Sequence, residues 1–434
     1  MDPITVAAVG LLVMFLFMLL GMPISFAMLL AGVLGNAVLL SLPAATHLLS
    51  TNVWEQASSY GLSVIPLFVL MGQFAYRAGI TERLYDAAYK WVGRLPGGLA
   101  GTTVVACAGF SAICGSNSAT TATMGTIALP EMRRYGYDRA LSTGAVAVGG
   151  TLGVVIPPSV VLIVIAVQTE QSLLRLFLAA IIPGLILTLL FLLTIVAICL
   201  RKPELGPLGP ATTLKEKLVS LSGVIETLIL FVLVIGGLYV GWFTPTEAAA
   251  AGAFGALVIG LVRRRLSLQK IVQSAAETLR ISAMVVLLIT GAVLFGRFLT
   301  VSRLPFELAG WAASLPVSPG FILLVVLLIY LIGGCLMDAL GFLVVTIPIF
   351  YPLAAALGYD PIWYTILLTI ITTMGAVTPP VGVNVFIVNG LAPDIPIHTI
   401  FRGVAYFMLA YVLCIAAMWI FPGTVLYLPQ VLLG

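Results

Sequence analysis

The chain has 434 residues, of which 61% are hydrophobic and 8% charged, with a mean hydropathy of +1.18. A soluble domain carries about 25% charged residues and cannot hide that much apolar surface, so a soluble enzyme, a nucleic-acid binder and a disordered protein are excluded. What remains is an all-α polytopic membrane protein in contact with the lipid bilayer, and its net charge of +4 is no nucleic-acid signature.

Met1-Asp2-Pro3 lacks a basic run, so no cleaved signal peptide is expected. A crossing helix needs about 20 apolar residues. By that measure the spans lie at about 4–20, 23–41, 60–79, 140–168, 173–200, 222–241, 245–262, 280–299, 361–391 and 400–421. Two stretches, about 98–134 and about 319–352, are too long for one crossing and are interrupted by small or polar residues. Each is expected to be a re-entrant helical hairpin, because irregular backbone at that depth survives only inside protein or a wet cavity. Thr81 to Leu95 and Arg303 to Leu315 are amphipathic and are expected along the membrane surface, as arms between moving and fixed parts.

With the N-terminus outside, 17 of the 20 basic residues fall on the cytoplasmic side, and only Arg175, Arg297 and Arg303 fall outside. The positive-inside rule favours this orientation. It needs both hairpins, and it leaves both termini external.

Residues 129–167 align without a gap on 351–389, a shift of 222, with 12 identities in 39 positions. Pro130 meets Pro352, Gly136-Tyr137-Asp138 meets Gly358-Tyr359-Asp360, and Pro157-Pro158 meets Pro379-Pro380. The expected plan is two repeats of five spans plus one hairpin, over 1–200 and 220–434, joined by a cytoplasmic linker at 201–219. Five crossings is an odd number, so the second repeat is inverted, as in many secondary transporters.

The first hairpin tip reads Gly115-Ser116-Asn117-Ser118-Ala119-Thr120-Thr121. Half-helix ends there expose carbonyls that suit a cation and N–H groups that suit an anion. Double prolines interrupt the spans at 140–168 and 361–391, in Gly153-Val154-Val155-Ile156-Pro157-Pro158 and Gly375-Ala376-Val377-Thr378-Pro379-Pro380. Each pair should unwind about one turn and free several carbonyls. Neutral oxygens of this kind favour sodium over a proton, which normally needs an intramembrane carboxylate or histidine. The second tip has one acid, Asp338, which could ligate sodium, carry a proton or cap the following half-helix. Asn384 and Asn389 follow the second break as weaker candidates.

Other features read as structural. Thr244-Pro245-Thr246-Glu247 is a capping box, and Arg297 and Arg303 are snorkelling surface residues. The five cysteines form no CxxC pair, and His47 and His398 are too few for a metal site. No catalytic residues and no enzyme activity are expected. A channel fits paired opposed hairpins poorly.

Taken together, these residues resemble the large membrane subunit, DctM type, of the tripartite ATP-independent periplasmic (TRAP) transporters. The resemblance is carried by Gly115-Ser116-Asn117-Ser118-Ala119-Thr120 with Leu129-Pro130-Glu131-Met132, by Ile156-Pro157-Pro158-Ser159, by Phe243-Thr244-Pro245-Thr246-Glu247-Ala248-Ala249, by Met337-Asp338 with Ile347-Pro348, and by Thr378-Pro379-Pro380-Val381-Gly382. It implies a sodium-coupled importer of an organic anion, often a carboxylate, in the bacterial inner membrane. It also implies an elevator mechanism and two partners, a small four-helix Q-type subunit and a periplasmic P-type binding protein. The first span starts by residue 4, so the Q-type subunit is expected as a separate chain. The resemblance assigns sodium (no other cofactor) to Ser116, Asn117, Ser118, Gly153 and Pro157 in the first half, and to Met337, Asp338, Gly341, Gly375, Thr378 and Pro379 in the second. Substrate candidates are Ser116, Thr120 and Asn384. The double-proline hairpin plan is shared with wider relatives, so a stand-alone sodium- or proton-coupled anion carrier is the alternative.

Overall fold

The computed structural model describes residues 2–209 and 212–433. Met1, Pro210, Ala211 and Gly434 lie outside it, and with them the outermost residues of the expected repeats and two residues of the expected linker. Among the described residues every regular element is a helix. Among the described residues seven helices are long and apolar enough to cross a membrane, and up to nine segments if two bent pairs each count as one span. Leu185, Leu189 and Leu193 form a stripe at helical spacing on Leu173–Arg201, and each is more than half exposed. Such a stripe belongs against lipid.

Local chemistry sets most helix ends. Thr244 caps Pro245–Val262: its hydroxyl accepts from the Glu247 N–H, and the Glu247 carboxylate accepts from the Thr244 N–H at 2.8 Å. The first hairpin stretch divides into Gly98–Cys114 and Asn117–Arg134 around Gly115 and Ser116. Gly115 sits at φ +62°, a left-handed helix stop that glycine allows, and Ser116 caps the next helix. The chain returns to where it started, because the Leu99 N–H donates to the Tyr137 hydroxyl at 3.0 Å. The second stretch divides into Pro319–Leu336 and Ala339–Ala356, with Asp338 capping the latter. Tyr330 stacks edge-on against Phe342 across that pair.

The span expected at 140–168 is Arg139–Val155 and Val160–Thr169, and the span expected at 361–391 is Pro361–Gly375 and Val383–Leu391. Helix boundaries therefore recur at the spacing of the sequence match: Cys114 with Leu336, Asn117 with Ala339, Arg134 with Ala356, and Arg139 with Pro361. The stretches expected to be amphipathic are the helices Ile80–Val92, which is strongly two-sided, and Leu304–Ser314, which is mostly apolar and only weakly so.

Two helices and the extension of a third were not anticipated, beside a short helix, Leu214–Ser220, at the end of the expected linker. Leu42–Ser58 is a helix bent by 51° against Tyr60–Arg77. Gly423–Leu433 adds a last helix. The helix expected at 280–299 is Leu268–Val301, which begins twelve residues earlier behind a Ser267 cap. That extension carries Lys270, Gln273 and Glu277. A hydropathy window overlooks a polar helical turn, although these residue types are good helix formers.

Candidate functional site

Both hairpin tips are tied to a broken helix by the same kind of bond. The Gly115 carbonyl accepts from the Val160 N–H at 3.1 Å, just past Pro157-Pro158. The Cys335 carbonyl accepts from the Gly382 N–H at 2.9 Å, just past Pro379-Pro380. Both Pro-Pro peptide bonds are cis. The arm Gly98–Cys114 and the segment Arg139–Val155 are each 17 residues long, so the first tip stands level with the break.

Two glycines allow this approach. A Cβ at Gly153 would strike the Ser116 carbonyl and stand 2.8 Å from the Thr120 hydroxyl. A Cβ at Gly375 would stand 2.6 Å from the Leu331 carbonyl and 2.7 Å from the Gly334 backbone. The double prolines explain the freed backbone: neither ring nitrogen can donate, so the helix must pause there.

Ser116 and Asp338 hold equivalent posts. The Ser116 hydroxyl accepts from the Ala119 N–H at 3.4 Å, and the Asp338 carboxylate accepts from the Leu340 N–H at 3.1 Å. Of the three roles open to Asp338 in the sequence, capping is the one whose geometry is visible. Asn384 is fully buried and reaches across the chain. Its amide nitrogen donates to the Asn117 side-chain oxygen at 2.6 Å and to the Ala147 carbonyl at 2.9 Å. This leaves the Asn384 side-chain oxygen, the Asn117 amide nitrogen and the Thr120 hydroxyl buried without partners. Such groups are costly to leave unpaired.

One cavity of about 520 Å³ collects both tips. Ser116, Asn117, Ser118 and Asp338 all line it. Gly153 and Thr120 lie behind the first tip, and Gly375 packs behind the second. The remaining candidates lie off this cavity. Pro157 lines a separate apolar cavity with Trp91 and Phe231. Gly341 faces Ile24, the Thr378 hydroxyl donates to the Met374 carbonyl at 2.6 Å, and Pro379 is exposed. Met337 packs at the edge of the apolar core.

The sequence reading missed the other wall. Gln73, Tyr76 and Arg77 line the cavity from Val64–Arg77, and Glu277, Ile281 and Met284 line it from Leu268–Val301. In the sequence Arg77 is read as one of the 17 basic residues on the cytoplasmic side, with no other role. Its spacing of four from Gln73 was the signal, since it puts both on one face of an otherwise apolar helix.

Comparison with known proteins bears on the whole of this arrangement. The chain is 37% identical to the C4-dicarboxylate TRAP transporter large permease protein DctM of Pseudomonas aeruginosa, over 91% of this chain and 92% of that one. It is 30% identical to the sialic acid TRAP transporter large permease protein SiaM of Vibrio cholerae, over 95% and 96%. In fold it resembles the crystal structure of the Alcanivorax borkumensis YdaH transporter, with a TM-score of 0.61 at 16% identity over 89% of this chain and 90% of that one. The family model described as tripartite ATP-independent periplasmic transporter, DctM component, matches residues 11–424, and the chain belongs to that family.

Proposed function

We propose that this chain is the translocating subunit of a sodium-coupled importer of a carboxylate-bearing organic anion, which a periplasmic binding protein delivers. Membership of the family implies secondary transport of organic acids across a bacterial inner membrane, together with a small membrane subunit and a binding protein. The observation that carries the finer reading is the pairing of each hairpin tip with a double-proline break, with both tips on one cavity.

Sodium suits this site because most of the available ligands are neutral oxygens. The unpartnered Asn384 oxygen and Thr120 hydroxyl lie beside the first tip, and an alkali cation would satisfy such groups. The elevator reading has the hairpins and broken helices moving as a body against Val64–Arg77 and Leu268–Val301. The inverted-repeat reading, over 1–200 and 220–434 about the 201–219 linker, is supported by the recurrence of helix boundaries at one spacing.

The ion pairs support an orientation with external termini. Arg83 and Arg263 share Glu226, and Arg133 meets Asp394. These pairs join residues assigned to the cytoplasmic side. Arg297 meets Glu55, and both belong to the external side. In that frame Arg77 and Glu277 line the cavity from its cytoplasmic side, which fits an inward-facing state.

The test is uptake into proteoliposomes holding the chain with its small subunit. Uptake that requires both an inward sodium gradient and the binding protein is the expected result. Sodium-driven uptake that persists without any binding protein would overturn this reading in favour of a stand-alone carrier.

A further inference from the structure

Among the residues that line the tip cavity, Arg77 is the single cation. It ends the helix Val64–Arg77, whose Gly72 packs on the first hairpin: a Cβ there would stand 3.2 Å from the Cys114 Cα. Gly72 thus marks the level of the tip. Five residues of helix carry the chain about 7.5 Å further, and there Arg77 stands on the same face as Gln73. A guanidinium is thereby set across a cavity of about 520 Å³ from Ser116, Asn117 and Ser118.

The bonding of Arg77 is incomplete. One Nη donates to the neutral Gln273 side chain at 3.1 Å, while Nε is buried without a partner. Among the described residues Arg77 has no salt bridge, although Glu277 and Asp338 line the same cavity. Arg83, Arg133, Arg263 and Arg297 are all paired with carboxylates. Gln273 therefore orients the fork without neutralising it. A planar guanidinium with free donors matches a carboxylate bidentately.

We propose that Arg77 receives the carboxylate of the transported anion in this cavity, with the rest of the anion reaching back to the Ser116–Asn117–Ser118 tip. This rests on the import reading above. Glu277 and Asp338 are the carboxylic acids that line the cavity, beside Tyr76 and Cys114. Without Arg77 the charged side chains on the cavity wall would all be acidic, so Arg77 is the group that favours an anionic cargo.

Two steps separate this proposal from the reading beneath it. Sodium-driven uptake of labelled succinate and of sialic acid by the wild-type complex with its binding protein comes first. Import of neither anion counts against the import reading and removes the inference with it. The imported anion is then titrated calorimetrically, in sodium buffer, onto the purified complex of this chain and its small subunit. Arg77→Gln is expected to weaken binding about tenfold or more. Arg77→Lys, which keeps the charge and loses the fork, should fall between. The thermal stabilisation that sodium gives the complex should be unchanged in both variants. Unchanged anion affinity in both variants, or loss of the sodium response in parallel with the anion, overturns the assignment.

Discussion

The Asn384 side-chain amide donates a 2.6 Å hydrogen bond to the Asn117 side-chain oxygen, across 267 residues of chain. One belongs to the first hairpin tip and the other to the helix past the second double proline, so this bond couples the two candidate ion regions. Asn117→Ala should lower sodium-dependent transport while leaving expression and partner docking intact. Stranding a buried amide costs about 1–3 kcal/mol, and Asn384→Ala should therefore act through the same network. The double variant should be less damaging than the sum of the singles, by about 0.5–3 kcal/mol for groups in contact. Sodium activation curves of the four proteins measure this, and unchanged activation in Asn117→Ala would remove Asn117 from the site.

Gly153 and Gly375 are predicted to tolerate no side chain. An alanine methyl at either would press on backbone carbonyls of a hairpin, which cannot swing aside as a side-chain tip can. Overpacking of this kind costs about 1–3 kcal/mol. Gly153→Ala and Gly375→Ala should therefore reduce sodium-driven uptake strongly. Gly310→Ala is the control, because open space surrounds that position. Equal uptake in all three variants would refute the close-approach argument.

Glu226 is buried and holds two arginines, Arg83 at 2.6 Å and Arg263 at 2.8 Å. Arg83 also donates to the Ser222 carbonyl at 3.0 Å, so the cluster ties the surface helix Ile80–Val92 to the segment after the linker. Glu226→Ala should lower the melting temperature of the purified complex more than Glu226→Gln does. The loss expected is about 1.5–3 kcal/mol, the range for hydrogen bonds to charged groups, and it should shrink in Arg83→Gln backgrounds.

Glu216 closes the capping box of the linker helix Leu214–Ser220. Hydrogen bonds from the Thr213 N–H and hydroxyl hold its carboxyl below the usual carboxylate range. A depressed folded value means that the stabilisation is present at neutral pH and fades as pH falls through that value. Amide exchange of this helix, taken relative to the intrinsic rate at each pH, should therefore quicken as pH falls through the lower carboxylate range. In Glu216→Gln it should already be faster at neutral pH and lose most of this dependence.

Much of the local architecture was legible without coordinates. Gly115-Ser116, Met337-Asp338 and the two double prolines mark helix ends because capping and proline geometry depend only on neighbours along the chain. The capping box at Thr244 and Glu247 follows from the same local rule. The helix Leu42–Ser58 escaped because its composition is mixed. The cytoplasmic extension of Leu268–Val301 escaped because a polar helical face carries no hydropathy signal.

The amino-acid sequence was enough to identify a helical membrane protein of the DctM family and to place the breaks in its helices. Those conclusions rest on composition, short motifs and local backbone chemistry. It took the packed fold to show that Asn384 meets Asn117, that Asp338 shares a cavity with Ser116, and that Arg77 lines the same cavity with Nε unpaired. Those relationships depend on how distant helices pack, and no spacing along the chain encodes a distance between helices far apart in sequence.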